Sequence, residues 1–503
     1  MEPDVVIVGG GAAGCVLAAR LSEDPHRSVL LIEAGPDHPD PATLPLDVVD
    51  ASTPTVEHDW GYSADVELDR GISLPRARMM GGCSATNACF ALRGAPAVYD
   101  SWAAMGNAGW SFDEVLPFFR RLESDADFAD EWHGDSGPIP IRRHPWAEMN
   151  AAQAAFLDGA AMSGYQLVDD HNRPGVVGAG PTPRNVHDGV RMSTALTYLA
   201  DARSRPNLTI VPDALTVRVE QAHGRASGIR LLNGDVIAVG RVVLAAGTYA
   251  SPAILLRSGI GPPDQLGVLG IEVAVALPGV GAHLVDHPMI SVDVPTRPTG
   301  AGQRFQSMVT FRSSQCGSDD PPDLLLFASG SHDVPPSEVP SGAVFAIVAA
   351  VMAPKSEGWV RLRSTDPEEA PHIHLGHLTH HDDLSRMVEA VTQARRVSRS
   401  APMDAIATGP ELSPGSAAAD DDLEALTTWI TAGVGTFHHP TGTCAMGPDP
   451  DTGSVVDAGG AVHGIEGLSV ADASIMPSIP TATTNLPTIM VAERISELLR
   501  NDS

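Results

Sequence analysis

The chain has 503 residues with 32 basic and 62 acidic side chains, a formal net charge of −30, and Lys355 is its only lysine. Such an acidic surface favours solubility and repels nucleic acid and anionic membranes, which need basic patches, so neither is an expected partner. A hydrophobic fraction of 43% at this length allows a large core and two domains without metal or disulfide staples.

The five cysteines, Cys15, Cys83, Cys89, Cys316 and Cys444, are scattered, odd in number and without metal-ligand spacing. They predict reduced thiols in a cytoplasmic protein. Residues 1–4 run straight into the first strand, so no secretory leader is expected, and no apolar run reaches membrane-spanning length.

Val5 to Val8 is a continuous apolar run, as in a strand buried on both faces of a parallel sheet. Gly9, Gly11 and Gly14 follow in G-x-G-x-x-G spacing, then an Ala-rich helix through Leu21 and a second apolar run, Val29 to Ile32, ending in Glu33. The glycines provide a tight turn, close approach to a diphosphate and close helix–strand packing, and the helix start favours the diphosphate charge. Glu33, about 20 residues on, suits a ribose 2′-OH and disfavours NADP. The motif alone leaves FAD and NAD open.

Pro36 to Pro54 reads as loop. In Pro75 to Gly94, Gly81 and Gly82 allow close backbone approach, and Ser84, Thr86 and Asn87 supply small polar groups. A helix is expected after Ser111, with Glu114 completing a capping box. Gly134 to Pro138 predicts a turn before a short strand at Ile139 to Ile141, and Ala151 to Gly164 a helix. Gly175 to Gly180 reads as a glycine-rich lid or connector. Short strands are expected at 208–211, 214–219, 228–232 and 236–239, and a buried one at Arg241 to Ala246. Ser251-Pro252 then opens a helix, Ala253 to Arg257, that stops at Gly259.

From Met289 to Ile430, Val-rich segments such as Ala343 to Met352 and Trp359 to Leu362 alternate with Pro-rich turns. They predict a mainly antiparallel sheet packed with helices, one at Asp382 to Ser400. His372, His374, His377, His380 and His381 match no ligand spacing and read as surface or strand histidines, so no metal is expected. Leu468 to Val470 is a predicted strand with Asp472 just past its end, and a helix begins near Pro487.

Taken together these stretches resemble the glucose-methanol-choline (GMC) family of FAD-dependent oxidoreductases. The resemblance rests on Gly81-Gly82 with Ser84 and Asn87, and on the run from Gly247-Thr248-Tyr249-Ala250-Ser251-Pro252 to Ser258-Gly259-Ile260-Gly261. It is completed by Gly279-Val280-Gly281 leading to Asp286-His287, His439-Pro440 with Gly442-Thr443, and Asn485 with Pro487 and Thr488. His283 stands where an Asn is common. The resemblance implies an α/β (α+β overall) fold. A discontinuous Rossmann-like FAD-binding domain (1–147, 187–288 and 436–503) would hold a parallel sheet, and a substrate domain (148–186 and 289–435) a mainly antiparallel one.

The implied cofactor residues are Gly9, Gly11, Ala12, Ala13 and Gly14; Glu33 and Ala34; Arg78, Gly81, Gly82, Ser84, Asn87 and Ala88; Val217, through its backbone; Ala246 and Gly247; Asp472 and Ala473; Asn485 and Pro487. Thr86 stands where some relatives bond flavin covalently through a His, so the FAD is expected to be non-covalent. Oxidising an alcohol needs a base near its hydroxyl, usually His. His439 matches the family's catalytic His and is preferred over His438 because it keeps the His-Pro register. Asn485 matches the residue that orients the substrate oxygen, and Phe437 and His438 are expected to shape the substrate pocket.

The expected reaction is oxidation of a small, primary, aromatic or furanic alcohol, with hydride transfer to flavin N5 and reoxidation by O2, a quinone or a protein acceptor. An aromatic content of 5% leaves few candidates for a quaternary-ammonium cage. A redox-neutral lyase and a flavin photodecarboxylase of the same fold stay open, as do oxidase against dehydrogenase and the oligomeric state.

Overall fold

The structure, a computed structural model, describes residues 2–52, 54–298, 304–419 and 421–501. Positions 299–303 and 420 of the expected substrate domain lie outside the described residues. In chain order the strands of the two principal sheets are β1 (Val5–Val8), β2 (Val29–Ile32), β3 (Gly178–Pro181), β4 (Leu208–Val211), β5 (Val242–Leu244), β6 (Pro288–Thr296), β7 (Ser307–Phe311), β8 (Leu324–Asp333), β9 (Ala343–Val351), β10 (Gly435–Thr436) and β11 (Leu468–Val470). The helices that place the site are α1 (Ala12–Leu21), α2 (Ala151–Met162), α3 (Thr194–Ala202), α4 (Gly247–Arg257), α5 (His381–Ser398), α6 (Leu423–Gly433) and α7 (Asn485–Asn501).

The first sheet is parallel throughout, in the order β11-β5-β1-β2-β4. All residues of β1, β2, β5 and β11 are buried, as expected where both sheet faces are covered. The chain leaves β1 for β2 on one side and later returns to β5 on the other. The crevice beyond the β1 and β5 ends is therefore the topological switch point, where an open α/β sheet binds ligands. Buried Glu493 of α7 ties the helices together. It accepts a forked bond from Arg20 of α1 (2.7 Å) and one from the Tyr198 hydroxyl of α3 (2.6 Å).

The second sheet is antiparallel, in the order β10-β6-β9-β8-β7-β3. Strand periodicity divides its side chains between two layers. Leu324, Leu326, Phe345, Ile347 and Ala349 join a core with α2, α5 and α6, whereas Leu325, Phe327, Val348, Ala350 and Met352 pack on the opposite face with Phe90 and Phe305. That second face roofs the cavity described below. Every residue of β9 is buried because both layers cover it.

Two local expectations change. The stretch predicted as a loop, Gly175 to Gly180, runs into the edge strand β3 from Gly178, hydrogen-bonded to β7. Its glycines admit a second backbone: a Cβ on Gly180 would stand 2.1 Å from the Val168 carbonyl. The helix expected from Ala253 begins at Gly247 and runs through Pro252. Proline lacks the N–H that would bond to Thr248 C=O, four residues back. The Thr443 hydroxyl donates to that carbonyl instead, at 2.6 Å, so the helix continues.

Candidate active site

A cavity of about 660 Å³ lies along the C-terminal ends of the parallel strands and continues under the antiparallel roof. Across the sheet its floor is formed by Ala214 after β4, Glu33 and Ala34 after β2, Gly9 and Gly11 after β1, Ala246 and Gly247 after β5, and Asp472 and Ala473 after β11. Gly9 takes a left-handed φ of +103°, and a Cβ there would lie 2.5 Å from Ala245 O. Ala12 and Ala13, at the start of α1, also line the cavity.

Glu33 accepts from Gly10 N–H (2.7 Å) and Gly35 N–H (2.8 Å), and burial raises its pKa to about 7. One oxygen of Asp472 accepts from Gly247 N–H (2.9 Å) and the Ser251 hydroxyl (2.6 Å), the other from Ser474 N–H (2.8 Å). It thereby holds together the loops that follow β5 and β11.

The glycine turn faces the second predicted loop. Gly82, at φ +50°, packs so closely that a Cβ would stand 2.6 Å from Gly11 Cα. The Ser84 hydroxyl donates to Gly81 O (2.6 Å) and accepts from Thr194 N–H (3.1 Å), pinning this loop to α3. Arg78, Gly82, Ser84, Thr86, Asn87 and Ala88 all line the cavity.

Four candidate cofactor residues stand outside the lining. Gly14 serves helix–strand packing, since its Cβ would sit 1.8 Å from Gly9 O. Gly81 donates its N–H to Gly10 O at 2.7 Å. Val217 is half-buried in the strand Thr216–Ala222, where its neighbours Leu215 and Thr216 reach the cavity instead. Pro487 is buried in the first turn of α7.

His439, His438, Phe437 and Asn485 all line the cavity, and Phe437 packs against the roof layer of Phe90, Phe305 and Phe327. The buried Asp286 carboxylate accepts from His439 N–H (2.8 Å) and the Thr436 hydroxyl (2.5 Å), fixing the chain around the histidine. Phe437 lies 4.4 Å from the His439 ring, centroid to centroid.

The His439 ring is held by His287, whose Nδ1 lies 3.1 Å from His439 Nδ1 and whose Nε2 lies 3.1 Å from Met352 O. A carbonyl only accepts, so His287 Nε2 carries a proton. Burial lowers the His287 pKa to about 3, so the ring is neutral and its Nδ1 an acceptor. His439 Nδ1 must therefore be the donor, which leaves the lone pair on His439 Nε2. Burial also lowers the pKa of His439 well below the ordinary imidazole range, and positive charge on His287, His438 or Arg76 would add to this.

His438 has a different role in the fold. Its backbone is left-handed (φ +65°), its N–H donates to Thr436 Oγ1 (2.8 Å) and its C=O accepts from Arg76 (2.9 Å). Burial lowers its pKa to about 3. Sequence reasoning found His439 but assigned no role to His287, Asp286 or Arg76.

Although aromatic residues are few, Phe90, Phe305, Phe327 and Phe437 gather at this end, with Phe327 stacked on Phe437 at 4.9 Å. The composition argument against an aromatic box is corrected to that extent, because burial concentrates scarce side chains. Beside the four rings stand Met289 and Val348, and among the described residues of this wall there is no carboxylate to face a cation.

The histidine-rich stretch lies outside the cavity lining. His372 bonds to Asp65 and His374 to Asp69 (3.0 Å) on the strand His372–His374, while His377 stands near enough to Asp286 for their charges to interact. A dinucleotide fits the cavity on its own chemistry. Buried polar atoms with no partner among the described residues, Asn485 Nδ2, His438 Nδ1, Arg76 Nε and Tyr249 OH, belong to residues that line it.

GMC oxidoreductase family models match residues 3–289 and 354–492. The chain belongs to the GMC oxidoreductase family and is an oxidoreductase of this FAD-dependent class. It is 35% identical over 534 residues to a 5-(hydroxymethyl)furfural oxidase of Methylovorus sp. (strain MP688), covering 99% of this chain and 98% of the relative. It is also 35% identical over 547 residues to an oxygen-dependent choline dehydrogenase of Stenotrophomonas maltophilia (strain R551-3), covering 99% and 95%. The pyridoxine 4-oxidase structure from Mesorbium loti superposes with a TM-score of 0.90 at 29% identity, covering 99% of each chain. Among the described residues no helix is long and apolar enough to cross a membrane.

Proposed function

We propose that the protein oxidises a small, neutral, primary alcohol of aromatic or furanic type, with His439 as the base and Asn485 holding the substrate oxygen. The observation that carries this reading is the pair of histidines at 3.1 Å, which leaves one unprotonated nitrogen, His439 Nε2, in a lined cavity with no hydrogen-bond partner among the described residues. His439 Nε2 takes the hydroxyl proton, while His287 accepts from Nδ1–H and keeps the ring oriented. Asn485 Nδ2, buried with no partner among the described residues, donates to the developing alkoxide. Bound FAD supplies the hydride acceptor.

The four phenylalanines exclude water around the carbinol carbon, and the absence of a carboxylate among them favours a neutral substrate over a quaternary ammonium. Relatives named for 5-(hydroxymethyl)furfural and pyridoxine support this class, and the relatives named for choline support alcohol oxidation in general. Under this reading residues 1–147, 187–288 and 436–503 form the FAD-binding domain, and 148–186 and 289–435 the substrate domain. The four candidates outside the cavity lining, Gly14, Gly81, Val217 and Pro487, support the FAD site through backbone and packing. The FAD is held without a covalent bond, since Thr86 offers no imidazole, and acid precipitation is expected to release it. The five free cysteines suit a cytoplasmic setting.

The test is anaerobic mixing of the yellow protein with a panel of alcohols, followed by admission of air. Bleaching by an aromatic or furanic alcohol supports the reading. Fast recovery with peroxide release marks O2 as the acceptor, and slow recovery a quinone or protein. No bleaching by any alcohol would overturn it.

A further inference from the structure

The roof of the cavity carries one feature the reaction does not use. On β8 the side chains of Leu325 and Phe327 face the cavity layer, and period two puts Ser329 on the same face. Ser329 lines the cavity, is only 7% exposed, and its hydroxyl has no hydrogen-bond partner among the described residues. The other roof residues that line the cavity, Met289, Phe327 and Val348, are apolar. The strand is bulged just here. The β8–β9 register shifts between Ala328 and Ser331, and Gly330 takes a φ of +74° against the Arg304 backbone. The Ser329 carbonyl accepts from Arg304 Nε at 3.0 Å, which fixes the backbone and leaves the hydroxyl free to rotate. Bulges of this kind re-aim side chains beside active sites.

We propose that Ser329 is a specificity-determining residue that hydrogen-bonds a second oxygen on the substrate, on the side of the ring away from the reacting carbinol. The inference rests on the alcohol reading above. His439, Phe437 and Phe327 form a series of touching rings, the first pair tilted with centroids 4.4 Å apart and the second stacked at 4.9 Å. Ser329 lies two strand residues beyond Phe327, roughly 7 Å along the strand. A ring lying along this series with its CH2OH at His439 presents its far substituent to Ser329. The substrate class is thereby narrowed to aromatic or furanic primary alcohols with a distal carbonyl or hydroxyl. A hydroxyl with no other partner rejects an analogue lacking that oxygen.

The test compares 5-(hydroxymethyl)furfural with 5-methylfurfuryl alcohol, a similar-sized pair differing in the distal oxygen, on wild type, Ser329→Ala and Ser329→Thr. The kcat/KM preference for the aldehyde-bearing alcohol is expected to be about tenfold greater in wild type than in Ser329→Ala, and kept in Ser329→Thr. Binding is read separately by perturbation of the flavin spectrum with 2-acetyl-5-methylfuran and 2,5-dimethylfuran, neither of which is an alcohol. The ketone should bind wild type about fivefold tighter than Ser329→Ala, and dimethylfuran should bind both alike. Equal preferences in wild type and Ser329→Ala, or ketone binding that ignores the substitution, would overturn the assignment. If no alcohol bleaches the flavin while the ketone still discriminates, the alcohol reading fails and the Ser329 contact stands.

Discussion

Replacing His287 tests the tautomer argument, because His287 touches neither substrate nor product in the proposed reaction. In His287→Phe the acceptor for His439 Nδ1–H disappears, and the imidazole is free to rotate or to place its proton on Nε2, where it cannot act as base. The bond lost spans 3.1 Å between the buried His287 ring and the partly buried His439 ring. A buried hydrogen bond left without its acceptor costs about 1–3 kcal/mol, which at 1.36 kcal/mol per decade is roughly five- to 150-fold in the rate of flavin reduction. His287→Asn is the companion variant, since its side-chain oxygen stands near the position of Nδ1 and can accept the same proton. Anaerobic stopped-flow bleaching against alcohol concentration should show the limiting rate depressed in His287→Phe, largely restored in His287→Asn, and half-saturation little changed in both. Equal losses in the two variants would mean that His287 acts through packing alone, and no loss in His287→Phe would refute the tautomer assignment.

Four further outcomes are expected. Asn485→Ala should lower the limiting reduction rate about tenfold or more, with a smaller effect on half-saturation, if Nδ2 meets charge that develops only during reaction. Because burial lowers the His439 pKa, the free base persists as pH falls through 6.5. The acid limb of kcat/KM should therefore lie below pH 6.5, and a limb above it would contradict this assignment. Thr443→Val strands the Thr248 carbonyl beside Pro252 and should cost about 1–3 kcal/mol in urea-unfolding stability while leaving the pH profile of turnover unmoved. His133 lies within 3.1 Å of Asp125 and 3.0 Å of Asp170. Burial lowers its pKa, but bonds with Asp125, Asp170 and Glu123 outweigh this and raise it to about 10. The folded state thus holds a proton that the unfolded chain gives up near 6.5. Its contribution is complete below that pH and declines towards pH 10, by at most about 1.4 kcal/mol per unit, and His133→Asn should flatten the decline in urea titrations.

The floor of the site was legible because its constraints are local. Gly9 and Gly14 are forced by backbone that approaches within the reach of one Cβ, and Glu33 and Asp472 sit one or two residues past apolar strands, so pattern and turn chemistry reveal them. Sequence alone starts the helix from Gly247 six residues late because proline usually starts a helix, and the group that lets it lie inside, the Thr443 hydroxyl, comes from 195 residues away. The edge strand β3 was read as a loop for a similar reason, since its glycines make room for a neighbouring backbone that composition cannot show.

The roofed end is non-local throughout. His287 and His439 are 152 positions apart, and the aromatic box draws on residues from 90 to 437, so neither periodicity nor overall aromatic content could place them together. The two halves of the cavity accordingly carry different information. The parallel sheet fixes where a dinucleotide can lie, through backbone that tolerates little substitution. Under the proposed reading the antiparallel roof chooses what meets it, through alternate side chains such as Phe327 and Ser329. Differences in substrate among relatives of this fold should therefore concentrate on the cavity-facing positions of β8, β9 and β6, while the hydrogen-bonded frame around His439 stays the same.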